Sequence, residues 1–333
     1  MNFRSVAQLS DQVLHWTRRL PHYDVVVGIP RSGLLVATLI STYRNIPLAE
    51  LDGFLEGRCI GSGASKRHAT GLPIGTDDPL SRPCRVLVVD DSLWTGNAMR
   101  RAKERVEGAG LPHDVDYGAV YVLPGREDAV DRYVEALRPP RVFEWNVLHV
   151  GTLGNSCLDM DGVLCHDPSG ADNDDGERYL AFVAGARPLH VPTAEIGWIV
   201  TSRLEKYREP TERWLAAQGI RYRELVMLDL PDIPSRRRPG IRTAFKADTY
   251  RQTGAELFVE SSVYQSFEIA NLAGRPVLCI DTMQMIHPGT MPMNRPVMRT
   301  TDPTAPSSVG KLARRVLPGP VKHQLARVRD ALT

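Results

Sequence analysis

Two short acidic motifs each end an apolar stretch of the sequence. Asp90 and Asp91 follow the residues RVLVV, and Asp159 and Asp161 follow SCL with Met160 between them. Carboxylates at such positions can accept hydrogen bonds from sugar hydroxyls, attack a phosphorus atom or bind a divalent cation. Because apolar runs of this kind are typical of buried strands, each pair is predicted to lie at the carboxyl edge of a parallel sheet, where ligands bind.

The first acidic pair is followed by a turn of small and hydroxylated residues. The sequence DDSLWTG, residues 90–96, leads into a predicted helix. Backbone N–H groups at a helix N-terminus favour a phosphate, and two nearby carboxylates suit the hydroxyls of a sugar phosphate. Taken alone, an acidic pair before a turn is also typical of a plain surface turn with an Asp N-cap.

The stretch VLVVDDSLWTG resembles the signature of the type I phosphoribosyltransferases, which has an apolar strand, two acids, three variable residues and then Thr-Gly. The resemblance covers about residues 1–148. It implies that Asp90 and Asp91 bind the ribose hydroxyls of phosphoribosyl pyrophosphate (PRPP), that the following turn binds the 5-phosphate and that the loop GIPRSG binds the leaving pyrophosphate. The residues implied in the last two roles are Ser92, Thr95 and Gly96 for the phosphate, and Arg31, Ser32 and Gly33 for the pyrophosphate.

Two further features of the first half bear on this resemblance. Residues 56–83 are rich in Gly, Ser, Thr and Pro, and by the same resemblance they form a lid. Lys66 and Arg67 are implied to contact pyrophosphate, and a solvated loop charge is the equal alternative for each. Trp94 stands where purine phosphoribosyltransferases carry an Asp that acts on the base, which favours a different acceptor, such as a sugar stacked on the indole. A packed tryptophan is the alternative.

The second acidic pair, in CLDMDGVLC, resembles motif I of the haloacid-dehalogenase-like (HAD) phosphohydrolases. This resemblance implies that Asp159 is the nucleophile that attacks phosphorus and that Asp161 is the general acid and base. The sequence Asp-x-Asp-Gly alone also occurs in calcium loops and turns. Later strand ends supply the other motifs in order: Thr201 and Ser202 as phosphate-binding hydroxyls, Lys246 as the cation beside the nucleophile, and Glu260 as an acidic metal ligand.

The HAD resemblance also implies a Mg²⁺ cofactor. Oxygen ligands from Asp159, the Asp161 backbone carbonyl and Glu260 suit this cation. Tyr264 stands where the family commonly has a second acid, which weakens the expected metal affinity. The spacing between the motifs leaves little room for a cap domain, so we expect an open site that accepts a phosphate carried on a large molecule.

The elements that must position these residues alternate between apolar strands and helices. Strands are predicted at DVVVGI, RVLVVD and YGAVYVL, and later at SCLDM, GWIVTS, ELVML, ELFVE and PVLCID. Continuous apolar strands between helices predict parallel sheets covered on both faces. The first helix is predicted at residues 10–20 with Ser10 as its N-cap.

The predicted fold class is α/β, with two parallel-sheet three-layer domains and a tail. Residues 1–148 are the phosphoribosyltransferase-like domain and residues 151–285 the HAD/Rossmann-like phosphatase domain. Residues 286–333 form a linker rich in Pro and Met and a basic amphipathic tail. Two alternatives stay open for this tail: contact with an anionic membrane surface near a lipid-linked glycan, and packing on the chain itself or on a second copy in a homodimer.

Composition limits the function classes. A length of 333 residues favours two domains, and a net charge of +2 gives no support for nucleic-acid binding. Five cysteines without Cys-x-x-Cys spacing predict reduced thiols in the cytoplasm. The sequence shows neither a signal-peptide pattern nor an uninterrupted membrane span, so we expect a cytoplasmic protein, with the tail as the one candidate for peripheral membrane contact.

Together the two resemblances predict a bifunctional enzyme. It would transfer 5-phosphoribosyl from PRPP to an acceptor, with a glycan hydroxyl favoured, release pyrophosphate, and then hydrolyse the 5-phosphate to leave a ribofuranosyl group. Such paired domains resemble the bacterial systems that install ribofuranose in surface polysaccharides. Two alternatives stay open: a nucleobase phosphoribosyltransferase coupled to a nucleotidase, and a PRPP-sensing regulator whose phosphatase is vestigial.

Overall fold

The computed structural model describes residues 1–60 and 79–290, which form thirteen β-strands and nine α-helices. The strands are β1 (Asn2–Arg4), β2 (Val25–Gly28), β3 (Leu48–Glu50), β4 (Arg85–Ser92), β5 (Asp114–Val122), β6 (Arg132–Ala136), β7 (Arg141–Phe143), β8 (Ser156–Leu158), β9 (Ile196–Leu204), β10 (Tyr222–Leu228), β11 (Leu257–Glu260), β12 (Val277–Cys279) and β13 (Gln284–Ile286). The α-helices are α1 (Val6–Thr17), α2 (Gly33–Arg44), α3 (Leu51–Leu55), α4 (Asn97–Gly108), α5 (Glu177–Gly185), α6 (Arg208–Ala217), α7 (Ile233–Arg236), α8 (Ile241–Thr253) and α9 (Val263–Ala273).

Five strands of the first half form a parallel sheet in the order β3-β2-β4-β5-β6. The side chains of the central strand β4 alternate between two hydrophobic cores. Val86 and Val88 pack in the core that includes helix α4, whereas Leu87 and Val89 pack in the core that includes α1 and α2. Because both faces are covered, the strand has no solvent side, which explains why its sequence is continuously apolar.

Six strands of the second half form another sheet, in the order β10-β9-β8-β11-β12-β13. Its pairs are parallel except for β13, which runs antiparallel to β12 at the edge. Leu158 lies in one core of this sheet and Cys157 in the opposite core. The predicted α/β class with parallel sheets is confirmed. The predicted acids of the second half lie at the carboxyl edge of this sheet. Asp159 follows β8, Asp161 lies in the turn after it, and Glu260 ends β11.

The first helix differs from its prediction. Helix α1 begins at Val6, with Ser5 and not Ser10 as its N-cap. The Ser5 hydroxyl accepts from the backbone N–H of Gln8 at 3.1 Å, and the Gln8 side-chain oxygen accepts from the Ser5 N–H at 2.9 Å. This reciprocal pair satisfies two N–H groups at once, so it defines the helix start better than a serine further along the chain.

A small parallel sheet joins the N-terminus to the end of the first half. Strand β1 pairs with β7, with Asn2 opposite Arg141, and the Asn2 N–H donates to the Pro140 carbonyl at 2.8 Å. The described residues 1–60 and 79–290 belong to one compact unit that contains the three sheets. The predicted domain boundaries at residues 148 and 151 lie between β7 and β8 and stay predictions.

Several predicted features lie outside the described residues. Lys66, Arg67 and most of the predicted lid are among them, and so is the basic tail from residue 291 onward. None of the helices in residues 1–60 and 79–290 is long and apolar enough to cross a bilayer. All five cysteines lie in these ranges, and none of them forms a disulfide.

Candidate functional site

The first acidic cluster consists of Asp90 and Asp91 at the end of β4 with the neutral groups that bind them. Asp91 accepts from the Ser32 hydroxyl at 2.8 Å through one carboxylate oxygen and from the Trp145 indole N–H at 2.7 Å through the other. Asp90 is 8% exposed and Asp91 3% exposed. The two carboxylates therefore lie at the base of the site, with the orientation of Asp91 set by side chains from two other elements.

Gly33 explains how Ser32 comes so close to the acidic pair. A Cβ atom at Gly33 would lie 2.6 Å from the Val89 carbonyl oxygen and 3.1 Å from the Asp90 Cα. Real side chains do not tolerate such a separation from backbone atoms, so only glycine lets the start of α2 rest against the end of β4. This close packing places the loop after β2 next to the acids at the end of β4.

Burial weakens the acidity of Asp90 in the first cluster. Desolvation, together with repulsion from the neighbouring Asp91, raises the pKa of Asp90 well above its ordinary value. The Asp91 backbone N–H donates to the Asp90 carboxylate at 2.8 Å and partly opposes this rise in pKa. A ligand that donates hydrogen bonds to Asp90 would stabilise the ionised pair.

The turn after the acids leads directly into helix α4. The Ser92 hydroxyl donates to Asp91 at 3.3 Å, the Thr95 hydroxyl accepts from the Asn97 N–H at 3.3 Å, and Gly96 adopts φ +76° as the residue before the helix. The N–H groups and the positive dipole end of α4 therefore lie at the same sheet edge as the acids, an arrangement that favours a phosphate. Arg31 is exposed in the adjacent loop, and its peptide bond with Pro30 is cis.

A cavity of about 340 Å³ lies beside the first cluster. Trp94 lines it, and its side chain is 54% exposed, so Trp94 is not a packed core residue. The guanidinium carbon of Arg141 lies 5.0 Å from the centre of the Trp94 ring. The remaining lining residues are Ser92, Phe143, Asn146, Val150, Gly151 and Thr152. The cavity is of the size that small organic ligands occupy.

The second acidic cluster is built around Lys246, which lies on α8 and is 2% exposed. Its ammonium nitrogen is 2.7 Å from a carboxylate oxygen of Asp159 and 2.7 Å from one of Glu260, and it donates to the Gln265 side-chain oxygen at 3.2 Å. Asp159 follows β8 and Glu260 ends β11, and these two strands are neighbours in the sheet. The structure thus brings together three of the residues predicted for the phosphatase.

Burial and charge oppose each other in this second cluster. Burial raises the pKa of Asp159 and Glu260 raises it further, whereas Lys246 lowers it; the net direction is upward. Burial lowers the pKa of Lys246, but the two carboxylates outweigh that effect, so its net shift is upward and it stays protonated. The buried ammonium of Lys246 therefore forms ion pairs with both Asp159 and Glu260.

Asp161 has a separate cationic partner that the sequence analysis missed. Arg203 is fully buried, and its Nη2 and Nε donate to one Asp161 carboxylate oxygen at 2.7 and 3.1 Å. The Cys165 thiol donates to the same oxygen at 3.3 Å. The carboxylate that was predicted to act as general acid is thus held in an ion pair with a fork-shaped donor.

Comparison with known proteins bears on the first half of the molecule. No protein-family model matches the chain. The chain is 37% identical over 90 residues to the adenine phosphoribosyltransferase of Prochlorococcus marinus strain MIT 9313, and 36% identical over 90 residues to that of strain MIT 9303. The chain is therefore similar to adenine phosphoribosyltransferases over about a quarter of its length. It spans about half the length of these curated relatives, because each match covers 52% of the relative and 26% of this chain.

Solved structures similar to the chain include two purine-related enzymes. The purine phosphoribosyltransferase of Pyrococcus horikoshii is 23% identical, with a TM-score of 0.31, and the match covers 43% of this chain and 92% of that one. The Helicobacter pylori xanthine-guanine-hypoxanthine phosphoribosyltransferase is 12% identical, with a TM-score of 0.32, over 44% of this chain and 92% of that one.

Asp159 and Glu260, the two carboxylates among the predicted Mg²⁺ ligands, both accept from Lys246. In residues 1–60 and 79–290, no group of three or more His, Cys, Asp or Glu side chains is placed to hold a metal ion. Glu260 accepts from Lys246 through one oxygen and from the Ser261 and Ser262 N–H groups at 3.0 Å through the other. The third predicted ligand is the backbone carbonyl of Asp161, which the ion pair between the Asp161 side chain and Arg203 does not involve, so the Mg²⁺ site stays a prediction.

Thr201 and Ser202 lie near the end of β9, as predicted, but with partners of their own. Thr201 is 1% exposed, and its hydroxyl accepts from the Arg203 N–H at 3.1 Å. The Ser202 hydroxyl is buried without a hydrogen-bond partner in the described residues, and the Ser202 carbonyl accepts from Arg236 at 3.2 Å. These residues lie at the same sheet edge as Asp161, and their phosphate-binding role stays a prediction.

The sequence analysis missed the residues that reach each cluster from far along the chain. Trp145 lies 54 positions from Asp91, and Arg203 lies 42 positions from Asp161. Arg203 directly follows the predicted Thr201–Ser202 pair at a strand end, so it could have been identified from the sequence as a candidate site residue. Trp145 and Asn146 follow the β7 strand and belong to no motif that would have indicated a site.

Proposed function

We propose that the first acidic cluster binds PRPP and that the protein is a phosphoribosyltransferase. The main support is the meeting of Ser32, Asp91 and the N-terminus of α4 at one sheet edge. In the reaction the bond from ribose C1 to pyrophosphate breaks, a bond from C1 to the acceptor forms, and the attacking N–H or O–H group of the acceptor loses its proton. Asp90 and Asp91 accept from the ribose hydroxyls, and they stabilise positive charge that develops on the ribose ring. Mg²⁺ bound with PRPP would supply neutralisation of the departing pyrophosphate.

A nucleobase has better support as the acceptor than a glycan hydroxyl. The support is the 37% identity over 90 residues to a protein named adenine phosphoribosyltransferase. The glycan acceptor was favoured by the replacement of an acid by Trp94, by the expected open phosphatase site and by the basic tail. An exposed aromatic face stacks on a planar base as readily as on a sugar ring. The glycan acceptor becomes the alternative, and the PRPP-binding regulator without catalysis remains as an outcome of the test.

The proposal is tested by adding PRPP with individual purine and pyrimidine bases, and separately with a cell-envelope glycan extract. We expect pyrophosphate release that depends on a base, with the matching nucleotide detected by mass spectrometry. Release with the glycan extract alone would select the other acceptor. Binding of PRPP by calorimetry without any transfer would select the regulator, and absence of binding would refute the proposal.

Gly33→Ala provides a sharper test of the geometry. The added Cβ meets the Val89 carbonyl at 2.6 Å, so the loop carrying Ser32 has to move away from Asp91. We expect the affinity for PRPP to fall at least about tenfold, the scale of losing a hydrogen bond to a charged group. Gly108→Ala is the matched control, because its Cβ meets no atom within 4 Å.

We propose a phosphomonoesterase at the second cluster as a second function. The observation that favours it is the Lys246 ammonium 2.7 Å from Asp159, which places a cation beside a buried carboxylate that can attack phosphorus. We expect hydrolysis of p-nitrophenyl phosphate, assayed with and without Mg²⁺, and its loss in Asp159→Asn. Asp248→Asn, an exposed acid paired with Arg251, is the control. Equal activity of the two variants would refute this function.

A further inference from the structure

Four arginines lie close together in the sequence around the short helix α7 and the start of α8. Arg236 ends α7, Arg237 and Arg238 follow it, and Arg242 is the second residue of α8. Arg236 is 6% exposed, whereas the other three arginines are exposed. The proposed phosphatase chemistry uses none of them, so the role of this basic segment has to be inferred from its contacts and its position.

Arg236 and Arg237 attach the segment to the carboxyl edge of the second sheet. The Arg236 guanidinium donates to the Ser202 carbonyl at 3.2 Å and to the Asn173 side-chain oxygen at 2.7 Å. Arg237 donates to the Asn173 carbonyl at 2.9 Å. Because Ser202 lies near the end of β9, at the same sheet edge as Asp161, these contacts hold the basic segment next to the second cluster.

Arg238 and Arg242 have no such structural contacts. Both are exposed, and neither guanidinium forms an ion pair or a hydrogen bond with another of the described residues. The nearest acids in the sequence already have partners. Asp232 accepts from a backbone N–H at 2.7 Å at the start of α7, and Asp248 pairs with an arginine of its own helix. The charges of Arg238 and Arg242 therefore stay uncompensated within this part of the chain.

Lys246 relates these two arginines to the reacting carboxylate. Arg242 precedes Lys246 by four residues on α8, a distance of about 6 Å along the helix axis. Side chains four positions apart lie on the same side of a helix. The Lys246 ammonium is 2.7 Å from Asp159, so Arg242 lies one turn further toward solvent than the cation that contacts the proposed nucleophile. Arg238 lies in the turn before α8, where its carbonyl accepts from the Ile241 N–H at 3.3 Å.

We propose that Arg238 and Arg242 form a second anion subsite at the entrance of the phosphatase site, and that the substrate is a phosphomonoester that carries a second phosphate group. This inference rests on the proposed phosphomonoesterase function. A phosphate carries a charge of about −1.5 to −2 at neutral pH, which two guanidinium groups match, and arginine binds phosphate through parallel N–H groups. The phosphate beside Asp159 is hydrolysed, and the one held by the arginines stays on the product.

The exposure of the two arginines determines which kinetic parameter they affect. They lie outside the reacting centre, so they bind the substrate and the transition state equally and lower the KM without raising kcat. An exposed ion pair contributes little by itself, so each arginine should change the KM several-fold and the two together about tenfold. Because the subsite is open to solvent, salt should weaken its effect.

The experiment measures phosphate release from adenosine 5′-monophosphate and from adenosine 3′,5′-bisphosphate, with and without Mg²⁺. These two substrates differ by a single phosphate group. We expect the wild-type KM for the bisphosphate to be at least about tenfold lower than the KM for the monophosphate. Arg238→Gln and Arg242→Gln should each reduce this ratio several-fold, and the double variant should bring it close to one, with kcat for the bisphosphate unchanged.

Arg213→Gln is the matched control, because Arg213 is an exposed arginine on α6 of the same half, 3.8 Å from Glu209. It should keep the wild-type ratio of the two KM values. Raising the ionic strength from about 0.01 M to about 1 M, which shortens the screening length from about 30 to 3 Å, should reduce the ratio in the wild type.

Two results would overturn the inference: equal KM values for the two substrates in the wild type, or a preference for the bisphosphate that survives in the double variant. Hydrolysis of p-nitrophenyl phosphate distinguishes this failure from failure of the function. If the wild type hydrolyses that compound and Asp159→Asn does not, the phosphatase stands and only the second subsite is refuted. If the wild type hydrolyses none of the three compounds, the proposed phosphatase is refuted as well.

Discussion

The two acidic clusters occupy equivalent places in their sheets but differ in how their charge is balanced. Asp91 of the first cluster is bound by the neutral donors Ser32, Ser92 and Trp145. In the second cluster, Asp159 pairs with Lys246, and Asp161 pairs with Arg203. The acids of the first cluster therefore have no ion-pair partner among the described residues, whereas in the second cluster two cations, Lys246 and Arg203, compensate most of the charge of three carboxylates.

This difference indicates what each cluster is prepared to bind. A buried carboxylate pair without a cation is most stable when a ligand donates hydrogen bonds to it, as the hydroxyls of a ribose do. A compensated cluster does not need such a ligand. Its lysine and arginine can instead bind the negative charge of a phosphate, at the cost of loosening their ion pairs. Removal of a charged group should therefore lower the stability of the protein at the second cluster and raise it at the first.

The largest expected effect is the loss of the cation in the second cluster. Lys246→Met leaves two buried carboxylates without their shared partner, so the free energy of unfolding should fall by about 3–5 kcal/mol. Urea denaturation measures this change. Lys103→Met is the control, because that ammonium lies 4.8 Å from the Tyr117 ring centre and its loss should cost about 1 kcal/mol or less. Equal effects of the two substitutions would contradict the compensated cluster.

Removal of a neutral donor from the first cluster should have a smaller effect, and on binding. Trp145→Phe keeps an aromatic ring beside Phe143, whose ring centre lies 4.9 Å from that of Trp145, but removes the indole N–H that donates to Asp91. The affinity for PRPP should fall roughly tenfold, about 1.4 kcal/mol, because Asp91 loses a donor that fixes its orientation. Calorimetry measures this affinity for PRPP. Unchanged PRPP affinity would show that this hydrogen bond does not position the acid for the ligand.

The smallest expected effect has the opposite sign and depends on pH. Burial raises the pKa of Asp90 in the folded protein, so protonation of Asp90 favours folding and its contribution is lost as pH rises through the folded pKa. Asp90→Asn removes this titration. The variant should be more stable than the wild type by about 1 kcal/mol at pH 8, with the difference shrinking toward pH 4.

Thermal unfolding of both proteins across this pH range measures the difference. Asp24→Asn, a partly buried acid that accepts from the Arg85 N–H at 2.8 Å, should lose stability instead. A difference between Asp90→Asn and the wild type that grows as pH falls would contradict the raised pKa.

The acids themselves were predictable from the sequence, because the signal for each is local. A continuous apolar run such as residues 86–89 indicates a strand covered on both faces, and parallel strands put their carboxyl ends at one edge. The start of α1 was also readable, since Ser5 and Gln8 have capping-box spacing, yet Ser10 was preferred. Local patterns therefore located the carboxylates and the sheets that carry them.

The partners of the acids were not predictable in the same way. Trp145 reaches Asp91 only because β7 pairs with β1, and such long-range pairing leaves no periodic trace in the sequence. Arg203 follows a predicted motif, but its full burial against Asp161 depends on how β9 packs beside β8. The ion pairs of each cluster therefore became visible only from three-dimensional contacts.

The separation of the two clusters is tested most directly by one pair of variants assayed in both reactions. Asp90→Asn with Asp91→Asn should reduce PRPP-dependent nucleotide formation at least about a thousandfold, while hydrolysis of p-nitrophenyl phosphate persists. Asp159→Asn should show the reverse, with phosphorylated product accumulating. If either folded variant loses both activities, the two clusters form one catalytic site and the division of the protein into two catalysts is wrong.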